Sequence, residues 1–339
     1  MALLIYGATG FTGTLASHHA LHLSLPLILG GRNASKLETL AQSLSAVAPA
    51  APTIPIRVFD VTADTQLIDQ SLRGVAVLLN CAGPFARTAA PLVAACIRTG
   101  VHYLDVAAEL VSYGLAAEKN EEARRKGVML MPGAGGSVAM LGCLAGRAVE
   151  NFVAEGARID VALRVAGPLS RGTLASAAEA SIIQGEGCLQ RVDGALVALE
   201  PGAAAALFDF GDGRGEVPCM PATLPDLMTL PRSTGVQSVR TYVHAADGAF
   251  AEGEQEKEGP TKEEREKYPC RAAAVVVGRD GKERREVLRT LNGYDFTSIA
   301  SVLAAQRVLE GVVEAGWQTP AGLFGNEFAF GVMGGGAEV

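Results

Sequence analysis

The sequence is poor in charged residues, and it has no surplus of basic side chains. Only 19% of its 339 residues are charged, and 29 Lys and Arg stand against 36 Asp and Glu, which gives a net charge of −7. Proteins that bind nucleic acid need a basic surface to neutralise phosphates, so this balance argues against nucleic acid as the main partner. Acidity by itself favours solubility and names no partner.

Long apolar runs and secretory features are also missing. No hydrophobic stretch reaches the roughly 18–20 residues that span a bilayer, and Met1–Tyr6 has no basic region ahead of its apolar run. The six cysteines stand apart without a C-x-x-C pair, which is typical of reduced thiols. We therefore expect a cytoplasmic protein without a membrane span, a signal peptide or a disulfide framework.

The N-terminal part of the chain alternates short apolar runs with longer helical patterns. Strands that are buried on both faces are apolar throughout, as these runs nearly are. The predicted strands are Ala2–Tyr6, Pro26–Gly30, Ile54–Phe59, Val75–Asn80, Tyr103–Val106 and Val128–Met131. The predicted helices are Gly10–His22, Ser35–Leu44, Asp64–Leu72, Thr88–Thr99, Ser112–Lys126 and Val138–Phe152. Such alternation predicts an α/β fold with a doubly wound parallel sheet.

Beyond Phe152 the pattern changes to that of an α+β domain. We predict strands at Ile159–Val165, Val236–Val243, Arg271–Val277 and Glu283–Leu291, helices at Ser170–Gly185 and Thr297–Ala315, and a Gly- and Pro-rich loop over Ala203–Arg232. The charged run Glu252–Lys267 predicts a solvated loop with one helical turn after Pro260-Thr261, with a lid over a site as the alternative. The apolar stretches Ala175–Ile183 and Ala203–Phe210 suggest a pocket or a dimer face.

The predicted organisation has three parts. Residues 1–132 form the doubly wound nucleotide-binding domain, and residues 133–295 form an inserted α+β domain for substrate binding or dimerisation. Residues 296–339 form a helical segment that packs back on the first domain.

A glycine-rich loop follows the first predicted strand and opens the first predicted helix. Glycine allows a sharp turn and a close approach to a pyrophosphate, and the N–H groups and dipole of the helix N-terminus hold that anion. Because strand, loop and helix come in the required order, we predict a dinucleotide site, with a purely structural turn as the alternative. Its predicted binding residues are Gly7, Thr9, Gly10, Phe11, Thr12 and Gly13.

The residues after the second predicted strand indicate which dinucleotide binds. NAD-binding proteins usually place a carboxylate there for the ribose 2′-hydroxyl. This chain instead has Gly30-Gly31-Arg32-Asn33, followed by Lys36. Two cations and an amide donor suit a 2′-phosphate, so Arg32, Asn33 and Lys36 favour NADP(H) as the cofactor.

Two further loops fit the same sheet edge. Asp60 and Val61 end the third strand, where a carboxylate can accept from the adenine amine and an apolar side chain can cover the ring; a helix cap is the alternative for Asp60. Small residues after the fourth strand would let a dinucleotide lie against the strand end. These residues are Cys81, Ala82, Gly83 and Pro84.

These segments resemble the saccharopine dehydrogenase-like superfamily, and more closely its branch of trans-acting enoyl reductases and saccharopine dehydrogenase-like oxidoreductases. The segments that carry the resemblance are 7–13, 30–33, 80–85 and 100–105, and segments 259–265 and 316–321 also look like that branch. The resemblance implies a Rossmann domain, an inserted substrate domain, returning C-terminal helices, NADP(H) and hydride transfer. Where members of the branch carry a Gly-Phe-Asp-Ser-Val-Pro type segment, this chain has Gly133–Ala139 without the Asp or the Pro, which leaves the substrate open.

Hydride transfer needs an acceptor held beside the nicotinamide and a donor for the accompanying proton. The loop after the fifth strand is the expected place, where Asp105 and Glu109 could orient substrate or relay a proton, and Tyr113 could donate one. Tyr242 could contribute from the second domain, and helix capping is the alternative for Asp105. We expect an NADPH-dependent reductase that acts on an activated C=C (enoyl) or C=N (imine) bond of a small or acyl substrate, and a homodimer is left open.

Two other functions stay open at this point. Ser137 follows a strand and precedes a helix, as the nucleophile of a serine hydrolase does, and His244 could serve as its base. A helix N-cap or a hydrogen-bond donor to substrate is the alternative for Ser137. The nucleotide groove could also serve regulation without catalysis. His18 and His22 lie one helical turn apart, but no Cys or acid nearby completes a metal site, so we expect no metal.

Overall fold

A computed structural model gives the fold and describes residues 1–47, 53–150, 152, 157–176, 187–200, 202–246, 249 and 258–332. The chain divides into two compact units, Met1–Gly135 with Thr297–Gln318, and Gly136–Phe296 with Thr319–Val339. Across the described ranges, no helix is both long and apolar enough to cross a membrane.

The first unit is built on seven strands that all run parallel. They are β1 (Ala2–Tyr6), β2 (Leu27–Gly31), β3 (Ile56–Val58), β4 (Val75–Asn80), β5 (His102–Asp105), β6 (Met129–Met131) and β15 (Gly316–Trp317). The central strands β1 and β4 form the core, where Leu3, Leu4, Leu78 and Leu79 have no exposed surface. These strands confirm the doubly wound parallel sheet that the apolar runs predict.

The strand order is β15-β6-β5-β4-β1-β2-β3. The chain winds from β1 outward through β2 to β3, and then returns to the other side of β1 with β4. The chain therefore leaves β1 toward one side of the sheet and leaves β4 toward the other. Open α/β sheets bind ligands at the carboxyl edge between two such strands.

Six helices connect the first six strands: α1 (Phe11–His22), α2 (Ala34–Val47), α3 (Thr65–Ser71), α4 (Phe85–Thr99), α5 (Leu110–Glu118) and α6 (Asn120–Lys126). The single helix predicted over Ser112–Lys126 is wrong, because α5 and α6 are separated at Lys119. Helix α6 ends at Gly127, whose φ of +68° is the left-handed conformation that glycine adopts easily.

The second unit contains a mixed sheet with strand order β10-β11-β12-β7-β13-β14, and β8 pairs with both β12 and β9. Its strands are β7 (Arg158–Ala166), β8 (Leu189–Val192), β9 (Ala195–Ala198), β10 (Ala206–Asp209), β11 (Glu216–Pro221), β12 (Ser238–Ala246), β13 (Arg271–Val277) and β14 (Glu283–Arg289). Among the strands that the structure describes in this sheet, only the β7–β12 pair is parallel; the other pairs run antiparallel. This confirms the predicted second α+β region.

The remaining described helices are α7 (Gly136–Glu150), α8 (Asp226–Thr234), α9 (Lys262–Lys267), α10 (Gly293–Leu309), α11 (Pro320–Phe324) and α12 (Phe328–Gly331). Helix α7 packs against β7, β13 and β14. A core cluster of the second unit brings together Ala162, Phe208, Phe210, Cys219, Tyr242 and Ala273.

Several predictions for the second region have definite outcomes. The hairpin around Asp280-Gly281 is confirmed by the β13–β14 pairing. The loop predicted over Ala203–Arg232 is wrong, because that stretch contains β10, β11 and the start of α8. The apolar side chains Phe208 and Phe210 made this difference, since they are buried in the core cluster rather than exposed.

Other predictions fall partly outside the described residues. Residues 171–176 of the helix predicted over Ser170–Gly185 are helical, and residues 177–186 lie outside the description, as does most of the apolar stretch Ala175–Ile183. Residues 252–257 of the charged run are also outside it. The predicted helical turn is present as α9, where Thr261 and Glu264 form a capping box.

The unit boundaries fall after Gly135, Phe296 and Gln318. Residues from Thr319 onward belong to the second unit, whereas the predicted returning segment covers all of residues 296–339. The predicted domain limits at residues 132 and 295 stay a prediction.

Candidate functional site at the carboxyl edge of the first sheet

The glycine loop after β1 lies directly against the loop after β4. Gly7 has a φ of +77°, and a Cβ at this position would stand 2.8 Å from both the nitrogen and the Cβ of Ala82. The amides of Gly7 and Ala8 donate to the carbonyl of Gly30 at 2.9 and 3.2 Å, which ties the loop to the end of β2 as well. Glycine at position 7 thus brings three loops of the sheet edge together.

The N-terminus of α1 has the features of an anion site. Gly10 precedes the helix without a side-chain cap, and the first turn holds no acidic residue. A side chain at Gly13 would collide with the carbonyl oxygen of Gly7 and come within 2.9 Å of the Ala8 Cα, so the helix packs closely under the loop. Thr9, Phe11 and Thr12 are half-buried, and Gly10 is exposed. Backbone amides and a helix dipole that face solvent in this way suit a pyrophosphate.

A cation stands at the end of β2, beside the glycine loop. The Arg32 side chain is 81% exposed, and its Nη1 lies 3.9 Å from Oδ2 of Asp60. Asn33 caps α2, since its Oδ1 accepts from the Lys36 amide at 3.0 Å, and Lys36 is exposed. A long-range pair with an exposed partner is weak, so Arg32 can turn to an incoming anion at little cost.

Asp60 is held in place by its own turn. Its Oδ1 accepts from the amide and the hydroxyl of Thr62 at 2.8 and 2.7 Å, and these hydrogen bonds lower the pKa of the carboxyl. The carboxylate is therefore ionised at neutral pH, with Oδ2 near Arg32. The next residue, Val61, is half-buried. Next to this turn, the rings of Tyr6 and Phe59 pack in a tilted arrangement with centroids 4.8 Å apart.

The loop after β4 is held by a buried hydrogen-bond chain. Asn80 Oδ1 accepts from the Ala82 amide at 3.0 Å, and its Nδ2 donates to Thr88 Oγ1 at 3.1 Å and to the Tyr103 hydroxyl at 3.2 Å. Thr88 in turn donates to the Ala82 carbonyl at 2.7 Å. Residue 82, which meets Gly7, is thus held at both its amide and its carbonyl.

Cys81 is part of the same loop and is a thiol rather than a thiolate. Burial and the charge of Asp105 raise the pKa of Cys81 to about 12. Its amide donates to the carbonyl of Tyr6 at 2.8 Å, which continues the β1–β4 pairing by one residue. A neutral thiol at this place is a small filler and does not act as a nucleophile at neutral pH.

Asp105 ends β5 and is fully buried. Its Oδ1 accepts from the amides of Ala107 and Gly133 at 2.9 and 2.8 Å, and its Oδ2 accepts from the Tyr103 hydroxyl at 3.0 Å. Its carbonyl accepts from the Ala134 amide at 2.8 Å. Because burial outweighs these bonds, the pKa of Asp105 is raised to about 6. The side chain therefore joins the loops after β5 and β6, as a positioning group.

Glu109 and Tyr113, at the start of α5, are both buried but differ in their hydrogen bonds. Tyr113 has no exposed surface, and its hydroxyl donates to the Ala107 carbonyl at 2.7 Å, which favours a structural role over proton donation. Glu109 is also buried, and its Oε2 accepts from the Ala108 amide at 2.9 Å. Its Oε1 has no partner among the described residues, and neither has the hydroxyl of buried Ser112.

Residues 3–131 match the family model described as the saccharopine dehydrogenase NADP binding domain. The matched stretch, from β1 to β6, is the NADP-binding domain of the chain. This match confirms the family resemblance and NADP(H) as the cofactor of the domain. The predicted nucleotide loops at residues 7–13, 30–36, 60–61 and 81–84 all lie within the matched range.

The relatives of the NADP-binding domain are oxidoreductases by name. The chain is 39% identical over 112 residues to the trans-acting enoyl reductase of Mycobacterium leprae (strain TN), which covers 32% of this chain and 26% of that protein. It is 28% identical over 145 residues to the saccharopine dehydrogenase-like oxidoreductase of Homo sapiens, which covers 39% of this chain and 34% of that protein. The matched stretches span about a quarter to a third of these relatives.

The likeness in fold extends beyond the NADP-binding domain. Apo saccharopine dehydrogenase (L-Glu forming) from Saccharomyces cerevisiae superposes with a TM-score of 0.63 over 96% of this chain and 95% of that chain. Sequence identity across that superposition is 12%, so the likeness shows the fold alone.

The features of a serine hydrolase do not come together. Ser137 is the second residue of α7 rather than its cap. His244 lies on β12, where its Nδ1 is 2.9 Å from the Pro218 carbonyl and its ring contacts Phe210. No hydrogen bond joins Ser137 and His244, both of which the structure describes. Tyr242 is buried in the core cluster of the second unit.

Two histidines of α1 pack against each other. His19 and His22 stack with ring centroids 6.3 Å apart on α1. Burial and the neighbouring His22 lower the pKa of His19. Among the residues that the structure describes, no group of three His, Cys, Asp or Glu could hold a metal ion.

Sequence reasoning missed several residues that hold together the loops at the carboxyl edge of the first sheet. Asn80 and Asp105 end neighbouring strands and are register partners, yet only Asp105 was singled out. A polar residue at the carboxyl end of an otherwise apolar strand is the signal that could have identified Asn80. Tyr103 and Thr88 carry no such signal, because Asn80, the residue that hydrogen-bonds to both, lies on another element. Ser112 carries none either.

Proposed function

We propose that this chain is an NADP(H)-dependent oxidoreductase that reduces an activated C=C or C=N bond of a small or acyl substrate. The observation that carries the proposal lies at the ends of the adjacent strands β1 and β2. The N-terminus of α1 lies there, with no side-chain cap and no acidic residue in its first turn, and the exposed Arg32 follows the neighbouring strand. A pyrophosphate and a 2′-phosphate are the two anions that such an edge would receive from one ligand.

The residues present fit this cofactor. The amides of the loop at residues 7–13 would hold the pyrophosphate, and the cation of Arg32, with Lys36 and the Asn33 amide group, would hold the 2′-phosphate. Asp60 Oδ2 and Val61 would face the adenine, and Ala82–Pro84 would lie along the other side of the dinucleotide. When bound, the cofactor supplies a hydride.

The chain contributes position and surroundings to the reaction. Asp105 holds the loops after β5 and β6 in one arrangement through Ala107 and Gly133. Asn80 and Thr88 do the same for the loop after β4. A reaction that transfers hydride depends on such fixed loops, because a small displacement of the reacting atoms greatly reduces the rate.

The name of a relative supports the proposed bond type. The curated match in Mycobacterium leprae is named a trans-acting enoyl reductase, and its similarity to this chain falls on the NADP-binding part. An enoyl substrate is therefore our first choice, and an imine our second.

A titration tests the proposal. NADPH and NADH are added to the purified chain in a calorimeter, and consumption of NADPH is then followed at its absorbance band with enoyl, imine and ketone acceptors. We expect NADPH to bind more tightly than NADH and to be oxidised with an enoyl or imine acceptor. Tight binding without turnover of any acceptor would support a regulatory NADP-binding protein instead. Absence of binding would refute both functions.

A further inference from the structure

Two polar side chains at the start of α5 are buried with an atom that has no hydrogen-bond partner. Glu109 is 6% exposed and Ser112 is 3% exposed. In the described part of the chain, neither Oε1 of Glu109 nor Oγ of Ser112 is hydrogen-bonded. Buried polar groups are nearly always paired in folded proteins, so two orphans on one helical turn point to a ligand that pairs with them.

The two groups stand on the same side of the helix. Glu109 occupies the cap position of α5 and Ser112 the third helical position, and residues three apart are neighbours on a helix surface. The Ala108 amide donates to Oε2 of Glu109 at 2.9 Å, which fixes the carboxylate and leaves Oε1 as the available acceptor. The amide of Ser112 is already used, since it donates to the Glu109 carbonyl at 3.2 Å.

Their place in the fold is the edge that binds the dinucleotide. Helix α5 follows β5, whose neighbour β4 lies beside β1 in the sheet. The start of α5 is therefore at the carboxyl ends of the strands, on the β4 side of the switch point. The 2′-phosphate end was assigned to the β2 side, so the β4–β5 side is left for the nicotinamide end.

The chemistry of the pair is that of a carboxamide receptor. A carboxylate oxygen accepts an N–H, and a serine hydroxyl donates to a carbonyl. A primary carboxamide offers both of these on one planar group. We propose that Glu109 and Ser112 bind the carboxamide of the nicotinamide ring, an assignment that rests on the proposed function and gives Glu109 a cofactor-positioning role.

The test compares NADP⁺ with its 3-acetylpyridine analogue, in which a methyl group replaces the carboxamide NH₂. Affinities are measured by calorimetry, so no catalytic activity is needed. In the wild-type protein we expect NADP⁺ to bind about tenfold more tightly than the analogue, since the analogue loses the hydrogen bond to Glu109.

Glu109→Gln should remove that preference. The Gln carbonyl must stay on the Ala108 amide, so its NH₂ replaces Oε1 and opposes the NH₂ of the carboxamide. We expect NADP⁺ affinity to fall about tenfold while analogue affinity stays within about twofold. Glu118→Gln on the exposed side of the same helix is the matched control, with both affinities unchanged.

Ser112→Ala should behave differently. Both ligands carry the carbonyl that accepts from Ser112, so both affinities should fall by about fivefold. The melting temperature of the ligand-free protein should not fall, because the hydroxyl has no partner to lose. Ser43→Ala on the exposed face of α2 is its control.

The outcomes separate this inference from the proposed function. Wild-type binding of NADP⁺ with both variants unchanged would overturn the carboxamide assignment and leave the oxidoreductase in place. A loss of turnover in Glu109→Gln at unchanged NADP⁺ affinity would also overturn it, in favour of a proton relay. A wild-type protein that binds neither NADP⁺ nor NADPH would overturn the proposed function itself.

Discussion

Gly7 and Gly74 form a matched pair within one domain. Both have a φ of +77°, but a Cβ at Gly7 would stand 2.8 Å from the backbone nitrogen of Ala82, whereas a Cβ at Gly74 would meet nothing within 4 Å. Alanine substitution therefore imposes the same left-handed strain at both positions. Only at Gly7 does it add a collision with backbone.

The expected costs follow from these distances. The left-handed conformation costs an alanine roughly 1–2 kcal/mol relative to glycine, so Gly74→Ala should lower the free energy of unfolding by about that amount. At Gly7 the displaced loop adds roughly 1–3 kcal/mol, the usual cost of overpacking. Ala82 cannot move easily, because Asn80 and Thr88 hold both its amide and its carbonyl.

The collision should also affect ligand binding. Displacing Ala82 widens or shifts the gap between the loops after β1 and β4, where the dinucleotide would lie. We expect Gly7→Ala to weaken NADPH binding by at least about tenfold, since positioned backbone amides are lost. Gly74→Ala should leave NADPH affinity unchanged.

Urea denaturation and NADPH titration of the two variants check this reasoning. The free energies of unfolding should differ between the variants by at least about 1 kcal/mol. Equal losses of stability, together with equal NADPH affinities, would show that the close approach of the two loops has no energetic or functional consequence.

Three further substitutions test other parts of the site. Arg32→Ala should weaken NADPH binding by about five- to thirtyfold, or about 1–2 kcal/mol for an exposed charged contact. The affinity for NADH should not change, and Arg73→Ala, the control, should change neither affinity. Equal losses of affinity for both cofactors would contradict the 2′-phosphate assignment. Burial raises the pKa of Asp105 from 3.8 to about 6, so the native state binds this proton more tightly than the unfolded chain does. The free energy of unfolding should therefore fall by about 3 kcal/mol as pH rises from about 4 to 6. Asp105→Asn keeps an acceptor for the two amides and should flatten that pH dependence in urea denaturation, whereas a slope equal to the wild type would show that Asp105 is not the titrating group. Tyr113→Phe should cost about 1 kcal/mol of stability and leave turnover unchanged, while a marked loss of turnover would return Tyr113 to the role of proton donor.

The glycine loop after β1 and the cation after β2 could be placed from the sequence because their signals are local. The loop Gly7–Gly13 reveals itself by glycine spacing between an apolar strand and a helix, and Arg32 by its position after the next strand. In both cases the prediction needs only residues that are close together in the sequence. The same is true of the Asp280-Gly281 turn and of the Thr261 capping box.

The errors have a common physical origin. The break at Lys119 interrupts a stretch of good helix formers, so no propensity marks it. The strands β10 and β11 lie in a Gly- and Pro-rich stretch, whose composition predicts a loop. Phe208 and Phe210 from this stretch are buried in the core cluster, which only the structure shows. At neither place does local propensity by itself predict the observed structure.

By itself, the sequence determined that the first unit is a doubly wound sheet, that a glycine-rich loop links its first strand to its first helix, and that the second strand ends in cations rather than an acid. These follow from apolar periodicity and from residue types at short spacing. The tertiary structure alone decided that Gly7 meets Ala82 and that Asp105 joins two loops. It also decided that Oε1 of Glu109 and Oγ of Ser112 are buried without a hydrogen-bond partner among the described residues. Those facts depend on which strands are neighbours, and hydrogen bonds and burial between distant residues exist only once the sheet order is set.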